Sequence, residues 1–139
     1  MQPVTFSLEF RGYSTALSPG VITARASAPT VGMVGNGEAL LERRLTFLSE
    51  TTFEDAGTIS FGSGSALRFR SVGLGTLAAS AAPGMRQGTA AWIVDGGSGA
   101  FAGASGRIVS NFLVSDGGEL TDHQLGVVFL TGDAKGGST

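Results

Sequence analysis

Glycine interrupts this chain so often that long helices have almost nowhere to form. Of its 139 residues, 23 are Gly, more than twice the share of about 7% in an average protein. A globular helix needs about 10 to 14 residues with few glycines. Only the interval from Glu38 to Ala56 is free of both Gly and Pro for longer than that. Everywhere else the spacing suits short strands joined by glycine turns.

The strand pattern is clearest at the start. Val4, Phe6, Leu8 and Phe10 alternate with Thr5, Ser7, Glu9 and Arg11, a period of two with one buried face. A loop is expected through Gly12, Tyr13, Ser18, Pro19 and Gly20, then a strand over Val21–Ser27. Pro29, Gly32, Gly35, Asn36 and Gly37 predict a long, mobile connection. The stretch Glu38–Ala56 is ambiguous: Leu41, Leu45 and Leu48 sit at helical spacing, yet Leu41, Arg43, Leu45 and Phe47 also share one strand face. Residues 38–45 are therefore open between helix and strand, whereas Thr46–Phe53 is β-branched and aromatic and reads as strand. Further strands are predicted at Thr58–Phe61, Ala66–Val72, Leu74–Ala79, Thr89–Val94, Arg107–Ser115 and Glu119–Leu130. Asp116-Gly117 is the strongest hairpin signal. The expectation is one all-β domain over 1–131, an antiparallel barrel of about eight strands, with a flexible tail at 132–139. Closure removes the edges that so many apolar strands would otherwise expose.

Composition excludes several functions. Charged residues are 14%, net charge is −2, and Cys is absent. There is thus no disulfide framework, thiolate metal site or cysteine nucleophile, and no basic footprint for nucleic acid. One His without Cys makes no transition-metal site, and no Gly-x-Ser-x-Gly elbow appears. No cofactor is expected. The amino-terminal residues lack the basic start and apolar run of a secretory signal, and no stretch has the length of a membrane span, so a cytoplasmic protein is expected.

The densest motif runs from Trp92 to Arg107 and includes Gly96, Gly97, Gly99, Gly103 and Gly106. A dinucleotide fingerprint would have to open a helix within a βαβ unit, and a strand follows here instead. The better reading is a barrel corner. Gly96, Gly97 and Gly99 supply positive φ, Phe101 plugs the barrel end, and Gly103 and Gly106 allow close backbone approach. The pattern Gly-Gly-Ser-Gly-x-Phe-x-Gly-Ala-x-Gly resembles the motif of the allene oxide cyclase and dirigent barrels and their bacterial relatives. That resemblance covers Phe53 to Leu130 and is sharp only over Gly96–Gly106. It implies an eight-stranded barrel around an apolar cavity, commonly trimeric in plants, in which apolar small molecules are steered through ring closure or coupling. None of that family's polar pocket residues is carried over.

Candidate chemistry is sparse. His123 shares a face with Leu125, Val127 and Phe129; turned inward it serves as acid, base or hydrogen-bond donor, and turned outward it is a surface residue beside Asp122. Arg43 shares its face with Leu41, Leu45 and Phe47. Inward, it holds a substrate carboxylate or enolate; otherwise it sits at the rim or pairs with Glu42 or Glu50. The expected substrate-binding residues are Phe47, Phe69, Phe112 and Phe129, with Leu67 and Val127 on the same faces. The expected function is binding of an apolar small molecule by a cyclase or isomerase that orients a conjugated metabolite. The alternatives are a non-catalytic carrier and a filled structural barrel. Apolar residues on both sides of the last strands predict a homo-oligomer, dimer or trimer, through Val109, Leu113, Val128 and Leu130.

Overall fold

The computed structural model describes residues 2–30 and 37–131. Nine strands form one antiparallel sheet: β1 Gln2–Ser18, β2 Val21–Pro29, β3 Glu38–Phe47, β4 Thr52–Ser60, β5 Ala66–Ser71, β6 Gly75–Ala79, β7 Met85–Ser98, β8 Ser105–Ser115 and β9 Glu119–Leu130. The short strands β5 and β6 both pair with β4 and with β7, so together they occupy one position in the wall. Since β3 also pairs with β4 and β1 with both β2 and β9, the sheet closes as an eight-position barrel. Among the described residues the one helical element is a single 3-10 turn at Gly99–Phe101. No helix among the described residues is long and apolar enough to cross a membrane.

The ambiguous stretch resolves as strand over Glu38–Phe47. Predicted strands Thr58–Phe61 and Thr89–Val94 lengthen to Thr52–Ser60 and Met85–Ser98, and two segments change character. The loop predicted at Gly12 is absent, and β1 continues to Ser18. A side chain at Gly12 would run into the Arg25 carbonyl, so the glycine lets β1 pass closely over β2 and bend. The strand predicted over Thr46–Phe53 is instead a hairpin end. The chain turns there because Ser49 Oγ accepts bonds from the backbone N–H groups of Thr51 and Thr52, at 3.2 and 3.0 Å. A turn built by a serine side chain carries no Gly or Pro to announce it. The predicted connection at 31–36 and the tail at 132–139 lie outside the described residues.

The barrel has two unlike ends. At one, the Phe101 ring packs tilted against Phe61 with ring centroids 5.0 Å apart, and both rings are buried. Gly96 and Gly99 have positive φ there, +85° and +58°, whereas Gly97 does not. Gly97 is needed for room: its side chain would collide with the Ala66 carbonyl. The other end is ringed by the β1–β2, β3–β4, β6–β7 and β8–β9 turns, and it is the mouth.

The interior is filled by a recurring device. Four of the nine phenylalanines face a glycine directly across the ladder: Phe6–Gly126, Phe53–Gly75, Phe69–Gly57 and Phe112–Gly88. At Gly126, Gly75 and Gly88 the ring lies where the glycine's Cβ would be; at Gly57 the Glu42 carbonyl takes that place and the Phe69 ring lies beside it. The missing side chain lets a large ring lie flat across the neighbouring strand, an aromatic cover for a glycine that would otherwise weaken the wall.

Candidate functional site

Alternation along β3 turns Leu41, Arg43 and Leu45 inward, and all three are buried. Arg43 is therefore a cation inside the barrel, and burying a charge is costly unless it is paired. The pairing comes from three other strands. Arg43 Nη2 donates to Asp55 Oδ2 at 2.6 Å, and Nη1 donates to Asp122 Oδ2 at 3.0 Å and Ser110 Oγ at 3.1 Å. Both carboxylate side chains are fully buried. Ser110 donates to Asp122 Oδ1 at 2.7 Å and Gln124 Nε2 to Asp122 Oδ2 at 2.9 Å. The Trp92 indole N–H lies 3.1 Å from both Asp55 oxygens.

Aromatic rings hold the guanidinium from the sides. Its carbon lies 4.7 Å from the Trp92 ring centroid and 4.8 Å from that of Phe112, within cation–π range. Phe69 stacks on Trp92 at 3.7 Å. Arg43 Nε and Gln124 Oε1 are buried without a partner. Arginine carries five N–H donors; the Nε donor is left over after Asp55, Asp122 and Ser110 are satisfied.

One cation faces two carboxylates here. Burial is the main influence on Asp55 and pushes its carboxyl above the usual range. The charge and hydrogen bond of Arg43, and the bond from Trp92, pull the other way; the nearby Asp122 pushes it further up.

Towards the mouth, Arg43 lines a small cavity of about 40 Å³ whose walls include Ile22, Leu45, Phe47, Leu77 and Phe112. That is room for water, but well below the roughly 300–1,000 Å³ of a drug-sized pocket. Ile22, Phe47, Leu77 and Arg86 belong also to a much larger open groove of about 820 Å³ across the mouth. The arrangement is a funnel: a wide rim, an apolar throat and a polar floor.

Several expected site residues fall elsewhere. His123 is on the outside, its side chain 59% exposed, with Nδ1 3.7 Å from Glu9 Oε1. Phe129 and Val127 are also outside and exposed. The inward residues of β9 are Leu120, Asp122, Gln124 and Val128, so Val128 is core and not an interface position. Parity failed on β9 because its inward face holds Asp122, Gln124 and Gly126, while its outward face holds Leu125, Val127 and Phe129. Phe69 and Phe112 are buried inside, as is Leu67, and Phe47 is half-buried in the throat. Phe69 lies behind Trp92 and does not line the cavity. Tyr13 is exposed on the outer face. Asp55, Ser110, Asp122, Gln124 and Arg86 escaped the sequence reading. The available signal was parity: Asp55 continues the row of Phe53 and Ile59, and a buried Arg43 requires carboxylates.

No protein-family model matches the chain, and no curated protein matches it. Among solved structures it is similar to that of the pterocarpan synthase dirigent protein, with a TM-score of 0.61 over 93% of this chain and 85% of that one. Sequence identity is 16%. The likeness is one of fold, and the barrel is dirigent-like.

Proposed function

We propose that this chain is a small-molecule-binding barrel that seats a flat, conjugated, largely apolar metabolite in its mouth. The ligand's body lies against Ile22, Phe47, Leu77 and Phe112, and a neutral oxygen, carbonyl or phenol, points to Arg43. The observation that carries this reading is the buried Arg43 cluster at the floor of an apolar throat, with an N–H donor left unused. Arg43 already faces two carboxylates, so it suits a dipolar oxygen better than the carboxylate or enolate expected from sequence. Holding a conjugated chain in one bent conformation favours ring closure through orientation, which makes a cyclase or isomerase the catalytic form of the proposal. The name of the structural neighbour, a synthase and dirigent protein, is in keeping with that role. A homo-oligomer, dimer or trimer, completes the proposal, built on the exposed outer residues Val109, Leu125, Val127 and Phe129.

The small volume of the cavity, about 40 Å³, favours a second reading, a filled barrel with a structural role. Titration with 2-acetonaphthone, followed by amide and arginine Nε–H resonances, separates the two. Saturable shifts at Phe47, Leu77, Phe112 and the Arg43 Nε–H support ligand seating. Shifts confined to the outer face, or none, leave the filled barrel.

A further inference from the structure

Arg86 stands at the head of the inward row of β7. Gly88, Ala90, Trp92 and Val94 follow it at alternate positions, and all four are buried. Arg86 has the same parity but lies one step nearer the mouth, where it is exposed. It borders both the deep cavity and the open groove. Across the ladder it faces Val114 on one side and Ala79 on the other, neither of which offers a counter-charge. No carboxylate among the described residues lies within 4.0 Å of its guanidinium; the acidic residue on the groove wall is Glu50, and it makes no ion pair with Arg86. The two cations bordering the funnel thus differ: Arg43 is matched by Asp55 and Asp122, while Arg86 is unmatched beside apolar walls.

We propose that Arg86 is a specificity-determining residue that selects ligands bearing a carboxylate on a flat apolar body, the carboxylate held by Arg86 while the body lies in the open groove against Ile22, Phe47 and Leu77. This rests on the ligand-seating reading above and adds the charge of the substrate class. Charge complementarity commits the groove to an anionic small molecule. A guanidinium binds a carboxylate through two parallel N–H bonds, and Ile22, Phe47 and Leu77 line the same groove and offer apolar surface to the ligand's body.

The test compares two probes of equal shape, 2-naphthoate and 2-naphthamide, binding to the full chain at neutral pH. The expected result is a preference of about two- to five-fold for naphthoate, the range of an exposed ion pair. Arg86→Gln should abolish the preference and leave naphthamide affinity within about two-fold, whereas Arg86→Lys should keep part of it because the charge remains. Equal binding of both probes to the parent chain, or a preference that survives Arg86→Gln, overturns the role of Arg86 while leaving the pocket intact. Failure of both probes to bind overturns the ligand-seating reading itself.

Discussion

The ring of Phe112 occupies the place where a side chain on Gly88, its direct partner across the β7–β8 ladder, would begin. The same ring forms one side of the Arg43 enclosure, at 4.8 Å, and a wall of the throat. A glycine in one strand thus sets the position of an aromatic ring that touches both the polar floor and the cavity.

Gly88→Ala should therefore destabilise by about 1–3 kcal/mol through overpacking. Combining it with Phe112→Leu should recover part of that loss, because the shorter side chain vacates the contested space. Urea denaturation of the single and double variants measures the coupling; strict additivity would mean that the ring and the glycine do not compete.

Arg43→Met removes the partner of two buried carboxylates and should cost about 3–5 kcal/mol at neutral pH. Acidification should narrow the deficit relative to the parent chain, since protonated carboxyls need no cation. Denaturant midpoints for the two proteins across a pH series check both expectations.

Asp55 also predicts the sign of a pH dependence. Its folded-state pKa is raised, chiefly by burial. The unfolded chain therefore releases this proton first, so the contribution of Asp55 to stability is full below the ordinary aspartate range of about pH 4 and is lost as pH rises through the raised value. Asp55→Asn cannot release a proton. The stability difference, parent minus variant, should accordingly fall with rising pH across that window. A flat or rising difference would contradict the raised value.

Val109 and Leu125 are register partners on the outer face, 52% and 64% exposed, and Val127 and Phe129 continue the apolar patch. Patches of this kind commonly mark association surfaces. Sedimentation should show a species larger than 14.0 kDa, and Val109→Lys with Leu125→Lys should reduce it to the monomer without unfolding the barrel.

At the plugged end, Phe101→Ala should cost about 3–5 kcal/mol, as expected for deletion of a buried ring. Gly106→Val should also destabilise, since φ at Gly106 is +151° and a side chain would overlap the Val127 carbonyl. Thermal melts of both variants test whether this corner is part of the core.

Most strands were legible from sequence, with residues 38–45 left open between helix and strand, because the relevant physics is local. Dense glycine denies the chain helical runs, alternation marks strands, and Asp116-Gly117 and the Gly96–Gly106 corner announce turns, where Gly118, Gly96, Gly99, Gly103 and Gly106 take positive φ. Arg43 shared a face with Leu41 and Leu45 on the same grounds, since all three lie on one strand. What the site consists of was decided only by closure of the barrel. Asp55, Ser110, Asp122 and Trp92 come from four different strands, and they meet Arg43 only when the wall wraps round at one register. The inward face of β9 was likewise not legible. Alternation assigns the apolar side to the core, but this interior buries two polar side chains and a glycine beneath Phe6, while Leu125, Val127 and Phe129 face out. His123 went to the wrong side with them, because a single strand does not reveal that its charged face is the one with a partner waiting inside.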